Sequence, residues 1–334
     1  MDEDIKEKRE QHIYSKILQA NGTNAVAHSS HKKFTINRMS EVAIMRKDGV
    51  LITIENYQDS KLNVLTSRVL DILIMKLTSQ IPYGKCISVE KLLHCRNVEL
   101  SVREFMEVSG LKDRKEATKQ LNEAVSSIFN IALEYEDDRN YVPVGKIKPV
   151  REKFLWKTRI LESIGTKTGK LPVKNGRVIV EFTLKLAEYL SQKYIMPYPQ
   201  NLLTINTRKN PHSYYLGRMI AEHYNMNKRK SNSNRVSVKT LMKACPDLPT
   251  YEEIMSEARQ VSKRIVEPFE RDLNALRDRY AVLSDWRYSS SSDDHKEKGE
   301  KQRWNYRNWE EQIVEFHLAD YPERKKVKKD KKVA

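Results

Sequence analysis

Apolar and polar positions switch period several times along the chain, and each switch marks an element. "EVAIMRKDGVLITIEN", residues 41–56, places two apolar runs around Lys47-Asp48-Gly49. Asp-Gly between such runs predicts a tight hairpin. "LNVLTSRVLDILIMKL", residues 62–77, changes to helical spacing through Leu65, Val69, Leu70, Ile72, Leu73 and Leu77. "LSVREFMEVSG" opens with Ser101 and Glu104 at capping-box spacing and closes near Gly110. Asp113 and Glu116 start a second capped helix that runs to about Phe129. Two capped helices around "SGLKD" predict a helix-turn-helix. "IALEYED" and "RVIVEF" read as the two strands of a following β-wing, joined by a long basic connection. Ahead of all this, residues 1–36 read as a polar arm, helical from Ile5 to Gln19.

The pattern then repeats. "SVREFMEVSGL" at 101–111 returns as "SVKTLMKACPDL" at 237–248, and "IVEFTL" at 179–184 returns as "IVEFHL" at 313–318. Two matches in one order at nearly one offset predict a duplicated domain. "NPHSYYLGRMIAEHYN" then corresponds to the long helix of the first copy, with Asn210 as N-cap and Pro211 at the first helical position. Tyr215, Leu216, Met219, Ile220 and His223 share one face, so the Tyr214-Tyr215 pair reads as core, against the alternative of a nucleophilic tyrosine. In the second copy an apolar stripe runs through Ile254, Ala258, Val261, Ile265, Phe269, Leu273 and Leu276. Pro268 predicts a kink near Glu267, or the end of one helix and the start of another. "SSSSDDHKEKGEKQ", residues 289–302, is a polar insertion between the second pair of wing strands. The expected fold class is α+β: two tandem winged-helix domains, each a helix-turn-helix plus a β-wing. The expected boundaries are an arm at 1–36, a first domain at 37–192, a second at 193–322 and a basic tail at 323–334.

Composition narrows the function. Across 334 residues the net charge is +16, with 39% hydrophobic and 32% charged residues. That surplus favours a polyanionic partner, nucleic acid first and an anionic membrane surface second. No apolar run approaches the roughly 18 residues of a spanning helix; Arg68, Asp71 and Lys76 interrupt the best candidate. The start "MDEDIKEKREQH" is polar, so no secretory signal is expected and the cytoplasm is the expected compartment. Cys86, Cys95 and Cys245 lack the spacing of a disulfide framework or a zinc site and read as free thiols. "GTKTGKL" is too short between its glycines for a phosphate loop, and Leu171 stands where Ser or Thr is required. His28 and His31 lie in a polar segment with no apolar strand to present them to a metal. No catalytic residue, cofactor or metal is expected.

Duplex DNA requires cations for phosphates and a helix whose side chains reach base edges. In the first copy the reading helix is "DRKEATKQLNEAVSSIFN", buried through Ala117, Leu121, Ala124, Val125 and Ile128. Lys115, Thr118, Lys119 and Asn122 lie on its other face, and Lys112 and Arg114 flank its start. In the second copy Arg259, Lys263 and Arg271 lie away from the apolar stripe and Arg264 lies beside it. The loop "NKRKSNSNR" adds Lys228, Arg229, Lys230 and Arg235. The tail "RKKVKKDKKVA" reads as a source of nonspecific phosphate attraction.

This order of elements resembles the plasmid replication initiators that bind repeated origin sequences (iterons) through two winged helices. "GRVIVEFTLKLAEYLSQ" is similar to that family's last strand of the first domain and the helix after it. "INTRKNPHSYYLGRMIAEHYN" resembles its Ser-x-Arg-x-Tyr helix, although here Arg218 follows the tyrosines. "VSVKTLMKAC" with "VSKRIVEPFERDLNAL" resembles its reading helix, with Lys263 and Arg264 at the basic pair before the proline. The resemblance covers residues 40–320. It implies a non-enzymatic initiator that binds double-stranded DNA at origin repeats, opens A·T-rich DNA, and recruits a host initiator and helicase. It also implies a monomer–dimer equilibrium, with the first domain mediating dimers. Two alternatives stand beside it: a winged-helix transcription regulator and a tyrosine-dependent nicking enzyme.

Overall fold

The computed structural model describes residues 13–37, 41–81, 88–137, 154–165, 172–256, 260–289 and 306–319. The sequence beyond 319, including the basic tail, and residues 290–305, which take in the polar insertion from its second residue on, lie outside these, as do Cys86 and Arg259. Among the described residues no helix is long and apolar enough to cross a membrane.

Residues 13–37 are not a polar arm. Strand β1 (Lys16–Gln19) stands where a helix was expected, followed by helix α1 (Asn21–Ala27) and strand β2 (Thr35–Asn37). Ile17, Leu18, Ala25, Val26 and Ala27 are buried. The part of the expected helix before residue 13 lies outside the described residues; within them the expectation failed because the partner of β1 lies almost 180 residues away, Ile17 pairing with Met196 in an antiparallel ladder. Local periodicity carries no signal of so distant a partner. Helix α1 packs so closely on the sheet that a Cβ on Gly22 would sit 3.2 Å from the Tyr135 ring.

Strands β3 (Val42–Lys47) and β4 (Val50–Ile54) form the expected hairpin. Asp48 and Gly49 both take positive φ, 49° and 80°, which two-residue hairpins of this hand require. Helix α2 (Val64–Gln80) follows, capped by the Asn63 side chain at 2.9 Å from Leu65 N. Helix α3 (Val89–Cys95) and strand β5 (Asn97–Ser101) lead into the first helix-turn-helix. Its helices are α4 (Val102–Ser109), with the expected Ser101/Glu104 capping box, and α5 (Arg114–Phe129). Gly110 at φ 67° ends α4 in the left-handed conformation that suits glycine.

Strand β6 (Ile131–Asp137) is not half of the wing. It joins a five-stranded antiparallel sheet in the order β2-β3-β4-β6-β7, where β7 is Phe154–Arg159. The wing is instead β8 (Leu161–Ile164) with β9 (Arg177–Phe182), in the sheet β5-β9-β8. Both strands were legible as strands; which sheet each joined was not, because β7 and β8 follow one another directly and divide between the sheets. Helix α6 (Leu184–Ser191) and strand β10 (Tyr194–Pro197) complete this half.

The second half comprises α7 (Ser213–Asn227), β11 (Arg235–Ser237), α8 (Val238–Ala244), α9 (Tyr251–Ser256), α10 (Glu267–Asp278), β12 (Leu283–Ser289), α11 (Tyr306–Glu310) and β13 (Ile313–Leu318). Its sheet, β11-β13-β12, repeats β5-β9-β8 in topology and register. Ser101 faces Arg177, and Ser237 faces Ile313. From 101 to 237 and from 177 to 313 is 136 positions in each case. Both serines cap the next helix. The wings match in detail: Leu161 faces Phe182 and Leu283 faces Leu318, and in each ladder the register shifts at the following residue. The "IVEF" shared by both motifs therefore falls on equivalent strands, two residues out of step, with Thr183 and Leu184 of the first passing into α6. Side chains alternate faces with period two, so that slip keeps Val180 and Phe182, and Val314 and Phe316, inside.

Asn210 is not the N-cap of α7. That position belongs to His212, whose side chain makes no cap. Asp272 on α10 supplies it instead, its Oδ2 accepting from His212 N at 2.6 Å and Ser213 N at 3.1 Å. Asn210 serves this same carboxylate, donating to Asp272 Oδ1 at 3.2 Å.

The two halves meet on a buried polar seam. Asp71 of α2, fully buried, accepts from Tyr214 Oη at 2.6 Å, Tyr198 Oη at 3.1 Å and Arg218 Nε at 2.8 Å. Arg218 also pairs with Glu222 one turn along and donates to Asn24 Oδ1 at 3.1 Å. His28 completes the network, its Nε2 3.2 Å from Glu222 and 3.1 Å from Arg218 Nη1. The segment around His28 is thus packed into the seam, and this histidine is 5% exposed. Burial disfavours the Arg218 charge, but Asp71 and Glu222 hold its pKa well above the usual arginine value.

Candidate nucleic-acid interface

The first reading helix, α5, buries Ala117, Leu121, Ala124, Val125 and Ile128 and turns its charged face outward. Asp113 caps it, its Oδ1 accepting from Lys115 N at 2.8 Å, so Lys112, Arg114 and Lys115 cluster around its first turn. All three are exposed, as is Lys119 one turn on. Arg114, Lys115, Thr118, Lys119, Asn122 and Glu123 line one shallow open groove along this face. Positive charge lining an exposed helix of a helix-turn-helix suits a phosphate-flanked major groove.

Asn122 is differently employed. Its Oδ1 accepts from Val173 N at 2.7 Å, so it ties α5 to the connection between the wing strands β8 and β9. Arg114 sits against the same corner: its Nη2 lies 3.1 Å from the position of a Cβ on Gly176. One basic residue outside the expected set joins this end. Arg208 Nη2 donates to Glu116 Oε1 at 3.2 Å, placing a largely exposed guanidinium beside the first turn of α5. Its only sequence signal was the run Arg208-Lys209; nothing local linked it to α5.

The second reading element is not one helix. Helix α9 ends at Ser256, and Gln260 takes φ 55°. A left-handed residue cannot continue the i→i+4 ladder. The chain resumes in a π-helical turn, Ser262–Val266, that runs into α10. Pro268 follows directly in the first turn of α10; Val266 and Glu267 before it keep right-handed helical dihedrals, so the chain passes from the π turn into α10 without a break. The break thus falls upstream of Glu267, at Gln260. Lys263 and Arg264 are exposed on the π turn, while Ile265 and Val266 beside them are buried. Arg271, expected off the stripe, bonds Asp272 through Nε at 2.9 Å. Thr250 and Glu253 cap α9 reciprocally, at 3.2 and 2.7 Å, a T-x-x-E spacing visible in the sequence.

The basic loop before α8 divides. Lys228 at the end of α7 lies 5.7 Å over the Tyr224 ring. Arg229 and Lys230 are exposed. Arg235 on β11 reaches Glu315 of the central strand at 3.7 Å, and Arg287 of β12 reaches the same carboxylate at 3.0 Å. Arg235 is therefore half committed within its sheet.

Tyr214 and Tyr215 are fully buried and pack edge to face at 6.0 Å. Burial first, and Asp71 second, push the Tyr214 hydroxyl well above the ordinary phenol range. Among the described residues, no three His, Cys, Asp or Glu side chains gather as a metal site.

A family model described as "Initiator Replication protein, WH1" matches residues 44–214, from β3 into the first turn of α7. Two solved structures of domains 2 and 3 of RctB are similar in outline. One, a selenomethionine derivative, is 11% identical at a TM-score of 0.39, covering 77% of this chain and 87% of its own. The other is 12% identical at 0.42, covering 87% and 96%. Likenesses this weak decide neither fold nor function. No curated protein matches the chain.

Proposed function

The chain belongs to the initiator replication protein family, and from that premise we propose that it is a non-enzymatic plasmid initiator binding repeated sites at its origin. The observation that carries this reading is the repeated winged-helix plan itself. Two helix-turn-helix units, each with a capped first helix, a matching ladder and a matching irregularity in the wing, suit two successive stretches of one duplex. The surplus of 61 Lys and Arg over 45 Asp and Glu supplies the phosphate attraction. Opening of nearby A·T-rich DNA, recruitment of a host initiator and helicase, a monomer–dimer equilibrium and a cytoplasmic setting complete the proposal. The buried, hydrogen-bonded state of Tyr214 supports the non-enzymatic part, because a nucleophile must reach a scissile phosphate.

The test is footprinting of the purified chain on DNA flanking its gene. Protection of an array of direct repeats is expected. A single protected inverted repeat would point instead to a transcription regulator. A nicked, protein-linked product from supercoiled DNA with Mg²⁺ would overturn the non-enzymatic reading.

A further inference from the structure

The turn of the second helix-turn-helix is gripped from the first domain. Helix α8 ends at Ala244, and the last carbonyls of a helix lack partners within it. Here His28 Nδ1 donates to Ala244 O at 3.2 Å, and Lys47 Nζ donates to Lys243 O at 3.3 Å. Lys47 donates also to His28 O, so the two holding groups are bonded to each other. Within the turn itself, Ser30 Oγ donates to Asp247 Oδ1 at 2.6 Å. At the far side Lys33 pairs with Glu253, the same residue that closes the α9 capping box. The holders are one six-residue segment, 28–33, and the end of β3. The held residues span the end of α8, the turn and the first turn of α9.

His28 and Ser30 are 5% and 3% exposed, so their bonds are shielded from water and stronger for it. The half-exposed Lys33–Glu253 pair adds little energy. The buried seam through Asp71 and Arg218 anchors α7, not the helix-turn-helix. Residues 28–33 and Lys47 supply side-chain hydrogen bonds that tie the reading unit itself to the first domain.

We propose that residues 28–33 with Lys47 fix the second helix-turn-helix on the first domain, and thereby set the spacing and phase at which the two reading units meet one duplex. This rests on the reading that both units touch one DNA. The residues act as positioning groups; none is placed at the DNA. Each inserted base pair moves the far half-site by about 3.4 Å and turns it by about 34–36°. A rigid pair of units therefore tolerates one spacing, whereas a loosened pair tolerates several.

The experiment uses the full chain, the duplex it protects, and versions of that duplex with one, two or five base pairs inserted between the two protected patches. Wild type should lose at least tenfold in affinity on a two-base-pair insertion. Ser30→Ala/Lys47→Met should bind the native spacing more weakly, yet lose less than threefold on the same insertion. Thermal unfolding is recorded alongside. If the double variant does not fold, Ser30→Ala alone, which deletes one hydroxyl, is judged by the same comparison. Variants that weaken all spacings equally overturn the positioning role and leave the two-unit reading standing. A wild type that protects one patch, or ignores the insertion, overturns both.

Discussion

Arg218 and Asp71 form a two-point ion pair across the domain seam, Nε to Oδ2 at 2.8 Å and Nη2 to Oδ1 at 3.1 Å, with both side chains almost wholly buried. Two charges taken out of water this far are tolerable only together. Asp71→Asn should therefore destabilise the chain by about 3–5 kcal/mol, because it removes one of the two carboxylates that offset the buried guanidinium and leaves Glu222 alone to do so. Asp71→Leu, which also takes the acceptor from the Tyr198 and Tyr214 hydroxyls, should cost more than Asp71→Asn. Urea unfolding of the three proteins measures it, and a leucine variant as stable as the asparagine one would refute the account.

The same network makes acid stability legible. Burial by itself raises the Glu222 carboxyl, but Arg218 and His28 outweigh it and hold the group below its ordinary value. A carboxyl depressed in the folded state adds stability that is complete above the unfolded value, about pH 4.3. That stability is lost as pH falls through the folded value. The difference in melting temperature between wild type and Glu222→Gln should be constant from pH 7 to about pH 5 and shrink below about pH 4. A difference that grows on acidification would contradict this.

Gly217 lies inside α7, where alanine would ordinarily stabilise a helix by up to about 1 kcal/mol. Here an added Cβ would sit 2.4 Å from Leu202 Cδ2 and 3.0 Å from Leu276 Cδ2. Overpacking wins, and Gly217→Ala should cost about 1–3 kcal/mol. Chemical denaturation decides the sign.

The basic tail and the reading elements should separate by salt. Deleting residues 323–334 should flatten the dependence of log affinity on log salt by roughly 0.9 for each phosphate no longer neutralised, weakening specific and random DNA alike. Replacing Lys263 and Arg264, or Lys115 and Lys119, by alanine should instead remove about 1–3 kcal/mol of preference for the protected site. Competition binding at two salt concentrations reads both. A tail deletion that erased the preference, with the helix variants merely weaker, would reverse the assignment.

Local chemistry decided much of this protein within the sequence. The Asp48-Gly49 turn, the Ser101/Glu104 box, the Asp113 cap and the stripe of α5 follow from interactions within a few residues, so pattern alone set them. The duplication was also legible, because related cores keep related apolar positions. What only the tertiary structure decided were the long-range partners. Whether Ile17 sits in a helix or a strand depends on Met196, and whether β6 builds a wing depends on β7. Asn122 reads as a base-contacting residue until the wing folds back and takes its oxygen. Gln260 shows no local reason to break a helix whose apolar stripe continues past it. Asp71, His28 and Asp272 look like surface groups in sequence, since nothing near them names a partner. Asp71 and His28 are buried because the second domain closes over the first and supplies their hydrogen bonds, and Asp272 is buried because α10 packs against the start of α7 and caps it.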